Sequence, residues 1–190
     1  GPHTIQPLSA LPAIVEALVI DGTTEPDFAG TPIIVLDGSL AGASVHGLEL
    51  AAGSDGSMIR GLVVNQFTNI GLRVRSDGNT VAGNYVGTDV GGTLDQGNLF
   101  GIVVTGDANL IGGSTAVDRN VVSGNDDAGV RITGGNDNVI QGNYIGVDAA
   151  GTTAITNAIH GLIIDNNADR NLVGTNGDGV NDALEGNVVS

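Results

Sequence analysis

The sequence predicts an all-β solenoid: one chain wound as a parallel β-helix of about six coils, three short strands per coil, with an amino-terminal cap. Three observations predict it. Gly83-Asn84-Tyr85-Val86-Gly87-Thr88-Asp89 returns 59 positions later as Gly142-Asn143-Tyr144-Ile145-Gly146-Val147-Asp148. A shorter period is nested inside that one, since Gly47-Leu48, Gly71-Leu72, Gly101-Ile102, Gly129-Val130 and Gly161-Leu162 lie 24, 30, 28 and 32 residues apart. Units of this size cannot close a core alone and must stack on their neighbours. The composition agrees: 41% hydrophobic, only 3% aromatic and 32 glycines describe an aliphatic interior with many tight corners.

Each unit follows one grammar. Gly-apolar-x-apolar opens it, a period-2 pattern that puts alternate side chains inside. A second short strand follows a polar corner, at Ser57-Met58-Ile59, Asn79-Thr80-Val81, Asn109-Leu110-Ile111, Asn138-Val139-Ile140 and Asn171-Leu172-Val173. The third comprises Leu62-Val63-Val64, Tyr85-Val86, Val121-Val122, Tyr144-Ile145 and Val188-Val189. No helical pattern separates these strands, which excludes a doubly wound α/β sheet. Equivalent strands are a whole coil apart, so they stack in parallel at about 4.8 Å, giving a rod roughly 30 Å long. Ile59, Val81, Ile111 and Ile140 are expected in one inward column.

Asn79, Asn109, Asn138 and Asn171 recur at one corner, where stacked amides bond along the axis as a ladder. Insertions alternate between two corners. Residues 90–98 and 149–158 follow the third strand, whereas 114–119 and 176–185 precede it. Such excursions project from the rod and are its candidate binding surfaces.

Residues 1–3 read as a cleavage-tag remnant, 4–17 as an amino-terminal cap formed by a short helix or turn, and 18–190 as the β-helix. Gly186-Asn187-Val188-Val189-Ser190 matches part of an earlier repeat, so the natural protein is expected to continue. An uncapped last coil is expected to favour end-to-end self-contacts.

These repeats resemble the right-handed parallel β-helix repeats of the pectate-lyase-like superfamily. They are similar, more narrowly, to those of large secreted or surface-attached bacterial proteins. The residues that carry the likeness are Thr4 to Ile14, Ile20-Asp21-Gly22, Ile59-Arg60-Gly61-Leu62-Val63-Val64-Asn65 and the two Gly-Asn-Tyr-Val/Ile-Gly-x-Asp units. The resemblance implies right-handed winding and an extracellular or cell-surface location. Its motifs are core and corner residues, so function must come from a site.

Charge narrows the partners. Six arginines and no lysine face seventeen Asp and four Glu, for a net charge of −15. That surface repels nucleic acid and anionic lipid. The apolar runs are too short for membrane insertion. With no Cys there is no disulfide framework.

Polysaccharide lyase chemistry needs a base beside the substrate carboxylate and a cation to neutralise it. Arg73, Arg75 and Arg131 form a small basic set, expected to pair with the abundant Asp. His46 and His160 share a coil position with Ile70, Phe100 and Ala128, which marks them as corner fillers. Asp126-Asp127 can act as paired acids only from a corner. None of these is assigned a catalytic role. The loop holding Asp89, Asp95 and Asn98 offers oxygen ligands of the kind Ca²⁺ takes. Its second copy keeps Asp148 and Asn157 but has Ala154 in place of Asp95, and turn capping is the competing duty of Asp89 and Asp148. No cofactor is required.

The expected function is a non-catalytic structural or adhesive module of a larger extracellular bacterial protein. A carbohydrate-binding module meeting a polysaccharide or cell-surface glycan is the first alternative, and a fragment of a polysaccharide lyase or hydrolase the second.

Overall fold

The computed structural model describes all 190 residues, Gly1–Ser190. The chain runs through three parallel sheets in a fixed cyclic order, the arrangement of a parallel β-solenoid. The five-stranded face contains Leu48–Leu50, Ile70–Val74, Phe100–Val104, Ala128–Thr133 and His160–Asp165. The six-stranded face contains Val19–Asp21, Met58–Arg60, Thr80–Ala82, Leu110–Gly112, Val139–Gln141 and Leu172–Val173. The seven-stranded face contains His3–Ile5, Ile34–Asp37, Leu62–Asn65, Tyr85–Val86, Val121–Val122, Tyr144–Ile145 and Val188–Val189. No helix is long and apolar enough to cross a membrane.

Register follows hydrophobic identity. Ile20, Ile59, Val81, Ile111, Ile140 and Val173 succeed one another as paired residues on the six-stranded face. Leu72, Ile102 and Val130 do the same on the five-stranded face, with Val74, Val104 and Ile132 two residues on; all six are completely buried. These columns form one continuous aliphatic core. A one-residue slip would turn every member of a column outward, so the burial itself fixes the pairing.

The corners are held by three asparagine ladders. At the corner between the five- and six-stranded faces, Asn79 Nδ2 donates to Asn109 Oδ1 at 2.8 Å, Asn109 to Asn138 at 3.0 Å, and Asn138 to Asn171 at 3.0 Å. At the next corner Asn84, Asn120, Asn143 and Asn187 are linked at 3.2, 2.9 and 2.9 Å. At the last, Asn98, Asn125 and Asn157 are linked at 3.1 and 2.9 Å. Most rungs also accept a backbone N–H from the coil before, as Asn84 Oδ1 does from Leu62 and Asn98 Oδ1 from Phe67. Corner backbone has no ladder partner of its own, and the amide supplies it. The glycine that opens each coil belongs to the same packing: a Cβ at Gly101 would lie 2.4 Å from the Gly129 carbonyl oxygen and 2.9 Å from Asn125 Nδ2.

The amino-terminal segment departs from the expected helix or turn. His3–Ile5 is a strand paired in parallel with Ile34–Leu36, and Ile14 makes a parallel bridge to Leu50. Residues 4–17 contain no helix, so they extend two of the sheets by one rudimentary layer. Backbone pairing explains this, because the free edge of the Ile34 strand needs N–H and C=O partners that a helix could not offer. His3, read as part of a tag remnant, lies within that strand.

The seven-stranded face is apolar on both sides. Leu36, Val64, Val86, Val122 and Ile145 belong to the main core, while Val35, Val63, Tyr85 and Val121 form a second cluster on the outer surface. Val90, Tyr144 and Ala149 pack against that cluster. Two of those three come from the insertions that follow Tyr85-Val86 and Tyr144-Ile145, which therefore fold back over the face that precedes them.

Candidate functional site

The two long insertions close by the same device. Asp89 Oδ1 accepts the N–H groups of Thr93 and Leu94, both at 2.8 Å, and Asp148 Oδ1 accepts those of Thr152 and Thr153 at 2.8 and 3.1 Å. Burial raises the pKa of Asp89, but those backbone donors outweigh it and hold the carboxyl below the ordinary range. For Asp148 the donors from Thr152 and Thr153 dominate outright. Antiparallel bridges Thr88–Asp95 and Val147–Ala154 complete the loops. Gly92 and Gly151 then pack on the rings of Tyr85 and Tyr144, where a Cβ would come within 2.9 and 2.6 Å. The repeated Tyr and Asp are therefore the means by which each insertion is folded onto its face.

That geometry gives Asp89, Asp95 and Asn98 separate duties. Asp95 Oδ1 accepts Gly97 N–H at 3.0 Å, and the sister loop closes with Ala154 in its place. Asn98 is completely buried: its Oδ1 takes Phe67 N–H, and its Nδ2 donates to Val64 O and Asn125 Oδ1. A calcium ion needs six to eight oxygens gathered around one point. Asn98 turns inward as a ladder rung, so the three residues do not fit as a Ca²⁺ set. A different group brings ligand atoms within 4.8 Å of one another: His3, Glu25 and Asp27, at the amino-terminal edge. It is solvent-facing, and His3 Nε2 lies 3.5 Å from Glu25.

The arginines and His46 singled out from the sequence have internal side-chain partners. Glu49 sits beside Arg73 in register and takes Arg75 at 2.9 Å and Arg73 at 3.5 Å. Arg131 pairs with Asp165 at 2.6 Å. The partner of the first two is thus Glu, not the expected Asp. Burial and then the Arg73 charge lower the pKa of His46, whose Nδ1 accepts Ile70 N–H at 3.3 Å and whose Nε2 lies 3.2 Å from Arg73. His160 begins an exposed strand end. Asp126 and Asp127 do lie at a corner, where their N–H groups bond to Asn98 O and Leu99 O.

One cation stands apart. Arg119 is in no ion pair, although the other five arginines all are. Its Nε donates to Gly142 O at 2.9 Å, and its guanidinium carbon lies 4.2 Å from the centre of the Tyr144 ring. It lines a cleft of about 240 Å³ with Phe28, Thr31, Pro32, Tyr85 and Ala149, among others. Burial first, and the Asp89 charge second, raise the Tyr85 pKa, so its hydroxyl remains a donor at any physiological pH. A fixed cation, a protonated phenol and apolar walls can hold a small ligand with one charged end.

Sequence reasoning missed Arg119, but a signal existed. The residues before the second ladder's asparagines are Gly83, Arg119, Gly142 and Gly186, so one arginine replaces a repeated glycine. A second apolar cleft, lined by Ile5, Leu11, Ile20, Ile34, Leu36, Leu48 and Leu62, opens beneath the amino-terminal layer. No protein-family model, no curated protein and no solved structure matches this chain.

Proposed function

We propose that the chain is a non-catalytic module of an extracellular protein. It is a right-handed parallel β-helix of about six coils, of the pectate-lyase-like kind, serving as a rigid spacer or adhesive surface. The repeat resemblance supports the handedness and the location. The observation that carries the functional reading is the direction in which the acids are pushed. Asp21, Asp37, Asp89, Asp137, Asp148 and Asp165 are each held below the ordinary carboxylate range. A general acid needs the opposite, a carboxyl raised toward neutrality. These six carboxylates close turns or neutralise arginines.

The test is incubation with a panel of neutral and acidic polysaccharides, following unsaturated-uronate absorbance and new reducing ends. The reading expects neither to rise, and product formation overturns it. A second reading, a carbohydrate-binding module, is favoured by the Arg119 cleft. Glycan-array binding without turnover selects it.

A further inference from the structure

We infer that the Arg119 cleft is an oxyanion site: it takes a carboxylate or sulfate group, free or borne on a ligand of about one ring. The inference rests on reading the cleft as a ligand site, and it names what that site selects.

Arg119 lacks an acidic partner. The chain has 21 acidic residues and six arginines, and five of those arginines found an acid. Arg119 follows Asp118 directly in the sequence, yet Asp118 accepts from the Thr115 hydroxyl instead. An unpaired guanidinium in so acidic a molecule is open to an anion from outside.

The Arg119 side chain is also held in place. Nε is tied to Gly142 O and the guanidinium carbon lies over the Tyr144 ring, so the side chain is already positioned. Nη1 and Nη2 have no partner in the protein, and that fork matches the two oxygens of a carboxylate or sulfate. Little side-chain freedom is left to lose on binding.

At about 240 Å³ the cleft is smaller than the ~300–1,000 Å³ typical of ligand clefts, so it admits one ring or an end group, not an extended chain. Phe28, Pro32 and Val121 give it an apolar wall, and Thr31 and Tyr85 also line it. With a net charge of −15 the molecule as a whole repels anions, so one that binds must be held by local contacts.

The experiment is a titration of the whole chain, followed by NMR, with three probes: sodium sulfate, galacturonate and galactose. Both anions are expected to shift the Arg119 Nε and Tyr144 ring signals, while galactose at equal concentration leaves them in place. Arg119→Gln is expected to abolish the response, and Arg119→Lys to weaken it about tenfold, because an ammonium cannot bind bidentately or stack. Galacturonate binding tighter than sulfate identifies a sugar-borne acid as the source; equal or weaker binding identifies a free oxyanion. Either supports the proposal. Galactose binding as well as galacturonate overturns the oxyanion selectivity while leaving a sugar site standing. No response to any probe by the unmodified protein overturns the site altogether. That arm does not depend on a variant folding.

Discussion

Replacing Asn120 by Ala removes the middle of a ladder, and the structure sets the size of the loss. Asn120 is completely buried. Its Oδ1 accepts from Asn84 N at 2.9 Å and Asn84 Nδ2 at 3.2 Å, and its Nδ2 donates to Val81 O at 2.8 Å and Asn143 Oδ1 at 2.9 Å. Alanine abandons all four groups in a place water does not reach. Each unsatisfied buried group costs about 1–3 kcal/mol, though Asn84 Nδ2 keeps its bond to Ile59 O at 3.0 Å. Allowing for relaxation, the expected loss is about 2–5 kcal/mol, or roughly 4–20 °C in melting temperature for a domain of this size. Asn187 is the internal control. It terminates the same ladder, is half-buried, and accepts from Asn143 N and Nδ2 while donating to Ile140 O at 2.7 Å. Asn187→Ala is expected to cost about 1 kcal/mol, because water can replace its partners. Thermal and denaturant melts of both variants measure the difference. An Asn120→Ala protein within experimental error of the parent, or one less affected than Asn187→Ala, refutes the view that the ladders hold the corners.

Three further outcomes are expected. Gly112→Ala costs about 3 kcal/mol or more, because Gly112 has φ +95° and a Cβ there lies 1.9 Å from Gln141 O; a melt that moves by less than a degree contradicts this. The contribution of Asp137, Asp148 and Asp165 to stability is level above the ordinary carboxyl value near 3.8 and falls as pH drops through their lower folded-state values. These are depressed chiefly by Arg170, by the Thr152 N–H and by the Thr133 hydroxyl, respectively. A lowered folded pKa contributes stability only while the group is ionised, so a melting temperature that rises below pH 3.8 would show that relief of charge repulsion dominates. Calcium raises the melting temperature no more than magnesium does, since Asn98 is committed to its ladder. A calcium-specific rise lost in Asp89→Ala would restore a metal role to the loop.

The parallel stack was legible because stacking forces identity at fixed positions: Ile59, Val81, Ile111 and Ile140 pair in the register that their spacing predicts. The first ladder was legible for the same reason, as each asparagine directly precedes its strand. The second was overlooked although its signal is as regular, with Asn84, Asn120, Asn143 and Asn187 each directly before a third strand. Two of these sit inside the Gly-Asn-Tyr motif, which drew attention to the tyrosine. The third was obscured by variable spacing: Asn98 stands three residues before its coil-opening glycine, and Asn125 and Asn157 four before theirs. Phe67 takes the matching place in the preceding coil, its N–H donating to Asn98. Asn98 was therefore offered as a loop ligand when its duty is structural. The amino-terminal layer was hidden by composition, because a proline-rich segment carries no strand periodicity and pairs only because an edge awaits it. Arg119 was hidden by position. Only the folded chain shows that every other guanidinium has an acid and this one does not.

The chain has two tyrosines and no tryptophan, and Arg119 brings both to one place: Tyr85 in the wall of its cleft, Tyr144 under its guanidinium. Intrinsic ultraviolet fluorescence of the native protein therefore comes from a single small region of a long molecule. Occupancy there can be watched in an unlabelled sample, against a background that the remainder of the polypeptide leaves dark.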